Sequence, residues 1–258
     1  MLKKKLYSMG YHLTRIDGTP SSPIELNIEE NRIVNYVRSN NLSMCSTNNL
    51  YTTAIAAKYI AQNNIVGDFV ECGVFRGGNA IIAAKIFKMY KSENKVYLFD
   101  TFTGMSEPGK YDVKTSTKSP AQNKYSASKK EGYNNWAYAS IEEVKENFKK
   151  LNLFDSNVIF IKGKVEDTLV QANQLPNAIS FLRLDTDWYE STKIELDILY
   201  EKLIPGGILV IDDYANWNGV RKAVDEFFKE LVPPIFFTLI DKGARIGVKV
   251  GKNIRGKA

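Results

Sequence analysis

The sequence has little of what marks secreted or membrane-spanning proteins. Its 258 residues include two cysteines, Cys45 and Cys72, which are too few for a disulfide framework. The basic N-terminus is not followed by the apolar stretch of a secretion signal. The chain also has no apolar run of about 18 residues, the length that a membrane-spanning helix needs. We therefore predict a soluble, cytoplasmic protein that does not span a membrane.

Histidine is scarce as well, and basic residues outnumber acidic ones. The single histidine, His12, lies in a poorly patterned stretch, so we expect no catalytic role for it. The formal net charge is +6, with lysine clusters at 3–5 and 129–130 and a basic C-terminal tail. No pattern of a nucleic-acid-binding module accompanies these lysines, and we predict no nucleic-acid partner. Solvated surface is the favoured explanation of the charge, and attraction of an anionic substrate is the alternative.

What the sequence does contain is an alternation of short apolar strands with amphipathic helices. This alternation predicts an α/β protein with a doubly wound, mostly parallel sheet. Residues 235–240 and 244–250 are predicted to add an antiparallel hairpin at the C-terminal end. A helix is predicted over 46–63, with Ser46 or Thr47 as its cap. We divide the chain into an N-terminal extension with lid or oligomerisation helices, 1–45, and a main domain, 46–258.

Two of the predicted strands end in pairs of acidic residues. The stretch FLRLDTDWYEST carries Asp185 and Asp187, and GGILVIDDY carries Asp212 and Asp213. Ligands of open α/β sheets bind beyond the carboxyl ends of the strands, so we expect these four side chains in one crevice. Carboxylates this close repel each other unless a cation is present, and a hard ion such as Mg²⁺ prefers oxygen ligands. The alternative for any one of them is a helix cap.

The segment GDFVECGVFRGG, residues 67–78, has the pattern of a strand that turns tightly into a helix. The turn carries Gly73 and Gly77, and glycine allows the backbone to approach a ligand closely. A dinucleotide-binding fingerprint would place its first glycine where Glu71 stands, which argues against a nicotinamide enzyme. Glu71 instead suits a ligand with positive charge, such as the amino and sulfonium groups of S-adenosylmethionine. The alternative is a turn that binds no ligand.

Further acidic positions fit a cofactor that contains a nucleoside. Asp100 ends the second predicted strand, where a carboxylate accepts hydrogen bonds from the ribose hydroxyls. After the third strand, either Glu166 or Asp167 is placed to bind the adenine amino group, although Asp167 is an equally good helix cap. The predicted cofactor-binding residues are Glu71, Gly73, Gly77, Asp100 and Asp167.

A long polar segment, residues 104–136, has no clear hydrophobic period. Loops of this length in a compact domain are usually functional or mobile. We expect this segment to fold over the acceptor substrate of the enzyme, and a disordered insertion is the alternative. Trp188 and Trp217, which flank the acidic residues, are candidates for stacking on a sugar, whereas Tyr189 is at least as well explained by packing between sheet and helices.

Six segments, in this order and spacing, resemble the macrocin O-methyltransferase family: GDFVECGVFRGG, LFDTFTGM, IKGKVEDTL, RLDTDWYEST, PGGILVIDDY and GVRKAVDEF. Members of that family are metal-dependent enzymes that use S-adenosylmethionine to methylate sugar hydroxyls. The resemblance implies a Rossmann-like class I methyltransferase fold, with residues 46–258 as the methyltransferase domain.

The resemblance also implies roles for individual residues. It places magnesium on Asp185, Asp212 and Asp213, and it makes Asp187 the general base. It places the cofactor on Glu71, Gly73 and Asp100.

From these observations we predict a metal-dependent O-methyltransferase that uses S-adenosylmethionine and Mg²⁺. Magnesium would lower the pKa of an acceptor hydroxyl while Asp187 takes its proton. The acceptor is predicted to be a sugar of a natural product, a nucleotide sugar or a surface polysaccharide, and the protein a homodimer or higher homo-oligomer. The alternatives are an NAD-binding oxidoreductase and a non-methylating binding protein with the same fold.

Overall fold

The computed structural model describes residues 22–229, 231–232, 235–251 and 254–255, and these residues form an α/β sandwich around a seven-stranded sheet. The order of the strands across the sheet is β3-β2-β1-β4-β5-β8-β7. Strands β1 to β5 are parallel, and the order reverses between β1 and β4. The strands of this sheet are β1 Asp68–Cys72, β2 Val96–Asp100, β3 Val158–Lys162, β4 Ile179–Leu184, β5 Leu203–Ile211, β7 Phe237–Leu239 and β8 Arg245–Val248.

The helices and a small second sheet complete the described part of the chain. Strands β6 Leu231–Val232 and β9 Ile254–Arg255 pair with each other alone. None of the described helices is long and apolar enough to cross a membrane. The α-helices are α1 Ile28–Ser39, α2 Thr47–Gln62, α3 Gly78–Met89, α4 Ala121–Ser128, α5 Ile141–Lys149, α6 Val165–Thr168, α7 Tyr189–Lys202 and α8 Asn218–Lys229.

The central strands are buried on both faces because helices cover the sheet from both sides. Alternate residues of a strand point to opposite faces, and the buried residues accordingly form two clusters. Phe69 and Phe181 belong to the cluster under α1, α2, α3 and α5, where their rings meet edge to face at 5.0 Å. Val70 and Leu182 belong to the cluster under α6, α7 and α8. This continuous burial confirms the predicted doubly wound, mostly parallel sheet.

The helix predicted over 46–63 is present as α2. The Ser46 side chain caps it by accepting a hydrogen bond from the Asn49 backbone N–H. The preceding helix, α1, is the described part of the predicted N-terminal extension, and it packs against α2 and α3. Its buried Glu30 pairs with Lys58 of α2 at 3.0 Å. Residues 1–21 of the extension lie outside the described residues, and its proposed lid or oligomerisation role stays a prediction.

The predicted C-terminal hairpin is also confirmed, with an arrangement that the sequence did not indicate. β7 and β8 are antiparallel, and the later strand, β8, lies between β5 and β7. At the turn between them, the Asp241 carboxylate accepts hydrogen bonds from the backbone N–H groups of Gly243 and Ala244. β8 therefore continues the sheet next to β5, and the hairpin turn lies on the same side as the strand end that carries Asp212.

The polar segment 104–136 contains helix α4 and is attached to two loops that follow β4 and β5. Its Asp112 carboxylate accepts a hydrogen bond of 2.8 Å from the Tyr189 backbone N–H at the start of α7. The Thr115 backbone N–H donates to the carbonyl of Asn216 at 2.8 Å. At its base, Gly104 lies close to the backbone of Asn134 with a φ of +83°. These contacts hold the segment against the carboxyl edge of the sheet.

We predict that Gly104→Ala loosens this segment. A Cβ at this position would lie 1.8 Å from the carbonyl oxygen of Asn134, and the positive φ disfavours any other residue. The expected loss is about 1–3 kcal/mol of unfolding free energy, measured by urea unfolding. Limited proteolysis should then cut faster within 104–136. The control is Gly109→Ala, where the nearest atom to a Cβ is 3.5 Å away; equal behaviour of the two variants would contradict the prediction.

Candidate functional site

The carboxyl ends of β1, β2, β4 and β5 face a cavity of about 330 Å³. The cavity lies where the strand order reverses, which is the usual ligand site of an open α/β sheet. All four acidic residues that end β4 and β5 line it, as the sequence predicted: Asp185, Asp187, Asp212 and Asp213. We call this cavity the acidic cleft.

A completely buried arginine, Arg183 of β4, lies beneath the acidic cleft. Its Nε donates to Glu71 Oε1 of the neighbouring strand β1 at 3.1 Å. Its Nη2 donates to Asp185 Oδ2 at 2.7 Å and to Asp212 Oδ1 at 2.9 Å. The guanidinium thus joins the ends of three adjacent strands, β1, β4 and β5. Such charge-assisted hydrogen bonds are stronger than neutral ones and fix the geometry of their partners.

Two residues that the sequence did not single out complete the shell around this arginine. Arg183 Nη1 donates to Asn49 Oδ1 of α2 at 2.9 Å, and Nη2 lies 3.0 Å from Cys45 Sγ. Asn49 also donates to Asp212 Oδ1. Burial raises the pKa of the Cys45 thiol well above its usual range, so it remains neutral at this position. The signal in the sequence was an arginine within the otherwise apolar stretch FLRL.

The acidic groups fall into two sets that have the spacing of metal ligands. One consists of Cys45, Asp185 and Asp212, and the other of Asp185, Asp187 and Asp213. In the first set, the guanidinium of Arg183 already contacts every member. The second set consists only of carboxylates, the ligands that a hard divalent cation prefers, and Arg183 contacts one of its members, Asp185.

Within the second set, Asp187 has an unusual backbone conformation and a raised pKa. Its φ is +70°, a left-handed value that is uncommon for residues other than glycine. Burial raises the pKa of Asp187 well above its usual range, and the adjacent Asp213 carboxylate raises it further. A hydrogen bond joins the two carboxyl groups, with Asp187 as the protonated partner. Strain and repulsion of this kind are characteristic of functional sites.

Gly73, Glu71 and Asp100 line the part of the acidic cleft next to β1 and β2. At Gly73, a Cβ would lie 2.0 Å from the backbone oxygen of Asp185, so only glycine lets β1 and β4 end this close together. Glu71 Oε2 is buried and has no hydrogen-bond partner among the described residues. Burial raises the pKa of Glu71 to about 8, outweighing the opposite effect of Arg183. An unsatisfied buried oxygen here suits a ligand that donates a hydrogen bond.

Asp100 lies at the junction of the acidic cleft with a second, narrower cavity of about 60 Å³. Its carboxylate accepts hydrogen bonds from the backbone N–H groups of Val74 at 2.7 Å and Phe102 at 2.6 Å. Asp100 therefore positions the loops that follow β1 and β2, in addition to facing both cavities. Its two longer hydrogen bonds, from the Phe75 backbone N–H at 3.3 Å and the Thr101 hydroxyl at 3.5 Å, are the ones that a ribose hydroxyl could replace.

The structure distinguishes among the remaining cofactor candidates. Glu166 lines the second cavity, whereas Asp167 is exposed and lines neither cavity. Gly77 precedes α3, and a Cβ there would meet Val144 and Phe148 of α5 at 3.1 Å. Its position is thus explained by helix packing, and the adjacent Gly78 lines the acidic cleft. Contacts of Asp167 and Gly77 with a cofactor stay predictions.

An aromatic wall lies on the opposite side of the acidic cleft from α2. The rings of Trp136, Trp188 and Trp217 contact one another with centroids 5.2–5.8 Å apart. Trp136 and Trp217 line the cleft, while Trp188 is buried and donates through Nε1 to the Ser106 carbonyl at 3.0 Å. Lys124 of α4 lies over the Trp136 ring at 4.2 Å. Trp136 and Lys124 belong to the segment 104–136, so this segment supplies part of the cleft wall.

The family model of macrocin O-methyltransferases (TylF) matches residues 30–241, which include the residues that line the acidic cleft, the narrow cavity beside Asp100 and the aromatic wall. The chain belongs to the macrocin O-methyltransferase family. This membership rests on more than the acidic motifs, because the match begins in α1 and ends at the hairpin turn.

Named members of the family are similar to the chain in sequence and structure. The demethyldecarbamoylnovobiocin O-methyltransferase of Streptomyces niveus is 33% identical over 169 residues. A tetracenomycin-C rhamnosyl 4'-O-methyltransferase of Streptomyces olivaceus is 31% identical over 169 residues. Each alignment covers 65% of this chain and 60% of the relative, so the chain matches less than two thirds of their length.

The solved structure of the O-methyltransferase NovP superposes with a TM-score of 0.70. It is 29% identical to the chain, and the superposition covers 81% of this chain and 82% of NovP. The seven-stranded sheet with its antiparallel C-terminal strands is therefore the fold of class I O-methyltransferases, as predicted.

We predict that Arg183→Met destabilises the protein strongly. The substitution leaves Glu71, Asp185 and Asp212 without the cation that their positions depend on. Breaking a buried ion pair from one side typically costs about 3–5 kcal/mol, which urea unfolding would measure. The control is Arg221→Met, whose ion pair with Asp225 is more than half exposed and should contribute little. If the two variants unfolded at the same urea concentration, Arg183 would not have this structural role.

A second prediction concerns the pH dependence of stability. The pKa of Glu71 is about 8 in the folded protein and 4.5 in the absence of burial. Between these values the unfolded chain has lost the proton that the folded chain retains, so rising pH favours unfolding. Without divalent cations, the unfolding free energy should fall from pH 4.5 to about 8. The decrease should be smaller in Glu71→Gln and unchanged in Glu93→Gln, an exposed control. Equal slopes of unfolding free energy against pH in the two variants would refute the prediction.

Proposed function

We propose that this protein is an S-adenosylmethionine-dependent O-methyltransferase whose acceptor is a sugar hydroxyl and whose chemistry needs a divalent cation. The observation that carries the proposal is the convergence of Asp185, Asp187, Asp212 and Asp213 in one cleft beside Gly73. Membership of the macrocin O-methyltransferase family supports it. The name of the Streptomyces olivaceus relative includes a rhamnosyl group on its acceptor, and we extend a sugar-containing acceptor to this chain.

The charges of the acidic cleft fit a divalent cation. Three carboxyl groups contact Arg183, those of Glu71, Asp185 and Asp212, and two more, Asp187 and Asp213, line the cleft beside them. Mutual repulsion contributes to the raised pKa of Asp185, after burial, with Asp212 as the largest contributor among the charges. The residues that would hold Mg²⁺ are Asp185 and Asp213 of the all-carboxylate set together with Asp212, which would bind through Oδ2 because Arg183 and Asn49 occupy its Oδ1. Asp187, the third member of that set, is left to act as the base. All of these ligand atoms are the oxygens that Mg²⁺ prefers.

The side chains of the cleft also suit proton transfer from a hydroxyl. An alcohol is a weak nucleophile until its proton is removed, and a positioned carboxylate can accept that proton. When bound, a divalent cation would offset the repulsion among the carboxylates and lower the pKa of an acceptor hydroxyl. The proton that Asp187 shares with Asp213 would leave to solvent when the cation binds, and the Asp187 carboxylate, oriented by its left-handed backbone, would then accept the hydroxyl proton.

The cofactor and the acceptor occupy different parts of this region in our proposal. Gly73, Glu71 and Asp100 face the cofactor, and its adenosine end extends into the narrow cavity beside Glu166. Trp136 and Trp217 form the wall for the acceptor, since an indole face packs well against the apolar face of a sugar. An NAD-binding oxidoreductase is the weaker alternative because Glu71 occupies the place of the fingerprint's first glycine. The methyl-transfer assay described next distinguishes an enzyme from a non-methylating binding protein.

We predict that Asp187→Asn abolishes turnover while leaving ligand binding intact. Titration calorimetry should show S-adenosylhomocysteine and Mg²⁺ binding to both the wild type and this variant. Transfer of radiolabelled methyl groups to a panel of glycosides should fall by about 10²-fold or more in the variant, because the proton acceptor is lost. Asp213→Asn should instead lose Mg²⁺ affinity.

The control for both variants is Asp225→Asn on the exposed face of α8, which should behave as the wild type. Normal turnover of Asp187→Asn would show that another group is the base. Failure of the wild type to bind S-adenosylhomocysteine would refute the methyltransferase proposal as a whole. Binding without transfer to any glycoside would favour the non-methylating alternative.

A further inference from the structure

A basic groove of about 710 Å³ lies next to the cavities described above. Two parts of the chain form its walls: the segment 104–136, and the end of β3 with the turn that follows it. Four lysines and two tyrosines line it: Lys129, Lys130, Lys162, Lys164, Tyr125 and Tyr133. We call it the basic groove.

The four lysines of the basic groove have no counter-charge in the structure. All four side chains are exposed, and none forms an ion pair with another described residue. The one acidic residue among the residues that line the groove is Glu107, which accepts a long hydrogen bond from Gln122. Like charges gathered on a concave surface raise the local concentration of anions. The groove therefore favours a ligand with more than one negative charge.

The cofactor does not account for this charge. S-adenosylmethionine carries one carboxylate and no phosphate, and its proposed position is the cavity beside Gly73 and Asp100. Of the four lysines, only Lys164 also lines the narrow cavity proposed for adenosine, and adenosine carries no charge for it to bind. In the sequence Lys129 and Lys130 form an isolated pair, which solvated surface explains. In the structure Lys162 and Lys164, from a distant part of the sequence, face the same groove.

The basic groove adjoins the acidic cleft at Gly104 and Met105, which line both of them and the narrow cavity as well. Helix α4 also borders both, with Lys124 on the acidic cleft and Tyr125 on the basic groove. A molecule whose sugar lies against Trp136 can thus extend past Met105 into the groove. The two regions differ in charge, so such a molecule would be neutral at the reacting sugar and anionic beyond it.

We propose that the basic groove is an acceptor subsite, and that the acceptor is a glycoconjugate carrying phosphate or carboxylate groups beyond the methylated sugar. This inference rests on the proposed function, because it takes the acidic cleft as the place of methyl transfer. A nucleotide diphosphate sugar and an acidic glycan share the required chemistry. Lysine ammonium groups bind both kinds of anion as mobile point charges.

The test measures binding of defined anions by titration calorimetry at low salt. The probes are thymidine diphosphate for a nucleotide-linked acceptor, trigalacturonic acid for an acidic glycan, and maltotriose as the neutral counterpart. We expect at least one anionic probe to bind the wild type and maltotriose to bind far more weakly. Raising the salt concentration should weaken binding of the anion, since exposed charges are screened.

Two substitutions locate the binding on the groove. Lys129→Gln/Lys130→Gln, and separately Lys162→Gln, should weaken binding of the anionic probe, by about tenfold or more for the double variant. The matched control is Lys91→Gln/Lys95→Gln, which removes two exposed charges before β2, at the opposite edge of the sheet. S-adenosylhomocysteine affinity, measured on the double variant and the control, reports whether fold and cofactor site are intact.

The outcomes separate this inference from the proposed function. Binding of only thymidine diphosphate, or only trigalacturonic acid, supports the subsite and identifies the source of its anion. Affinity that is equal in the groove variants and the control overturns the subsite, while S-adenosylhomocysteine binding leaves the methyltransferase proposal standing. Tighter, lysine-dependent binding of a single-stranded oligonucleotide than of both probes would overturn the glycoconjugate assignment. Failure of the wild type to bind S-adenosylhomocysteine would remove the proposed function and this inference together.

Discussion

The buried guanidinium of Arg183 is the interaction on which the arrangement of the site depends. Moving a charged group out of water is costly unless partners compensate it, and here the partners come from β1, α2, β4 and β5. The same contacts that satisfy the arginine hold the carboxylates of Glu71, Asp185 and Asp212 within hydrogen-bonding distance of one cation. The same contacts therefore stabilise the packing of the sheet and fix the positions of the acidic side chains.

These contacts also explain how the protein folds although the site carries excess negative charge. Arg183 compensates the inner carboxylates, whereas Asp187 and Asp213 lie above it and share a proton. Close to them, Gly73 allows β1 and β4 to end near each other without a side chain between them. Arg183 thus offsets the inner charges, and in our proposal Asp213 holds the cation together with Asp185 and Asp212, while Asp187 accepts the hydroxyl proton. The buried side chains at these strand ends therefore stabilise the structure, and those nearer the surface of the cleft are the ones that we assign to the chemistry.

Segment 104–136 contributes differently, because it divides the surface above the sheet into regions of opposite charge. It is held by Asp112 at the start of α7 and by backbone contacts to the loop after β5. From this base it presents Trp136 and Lys124 to the acidic cleft and Lys129 with Lys130 to the basic groove. A positive net charge and an acidic centre are consequently compatible in one protein.

The sequence by itself determined the class of fold and the meeting of Asp185, Asp187, Asp212 and Asp213. Strand and helix periods are local, and parallel strands end at one edge, so residues after neighbouring strands converge whatever the rest of the chain does. Tertiary structure alone decided the partners of Arg183 and the position of Glu166, rather than Asp167, on the narrow cavity. It also decided that Lys129 and Lys162 line the same groove. These pairings link residues far apart in the chain, and only the packing of helices and loops on the sheet sets their distances.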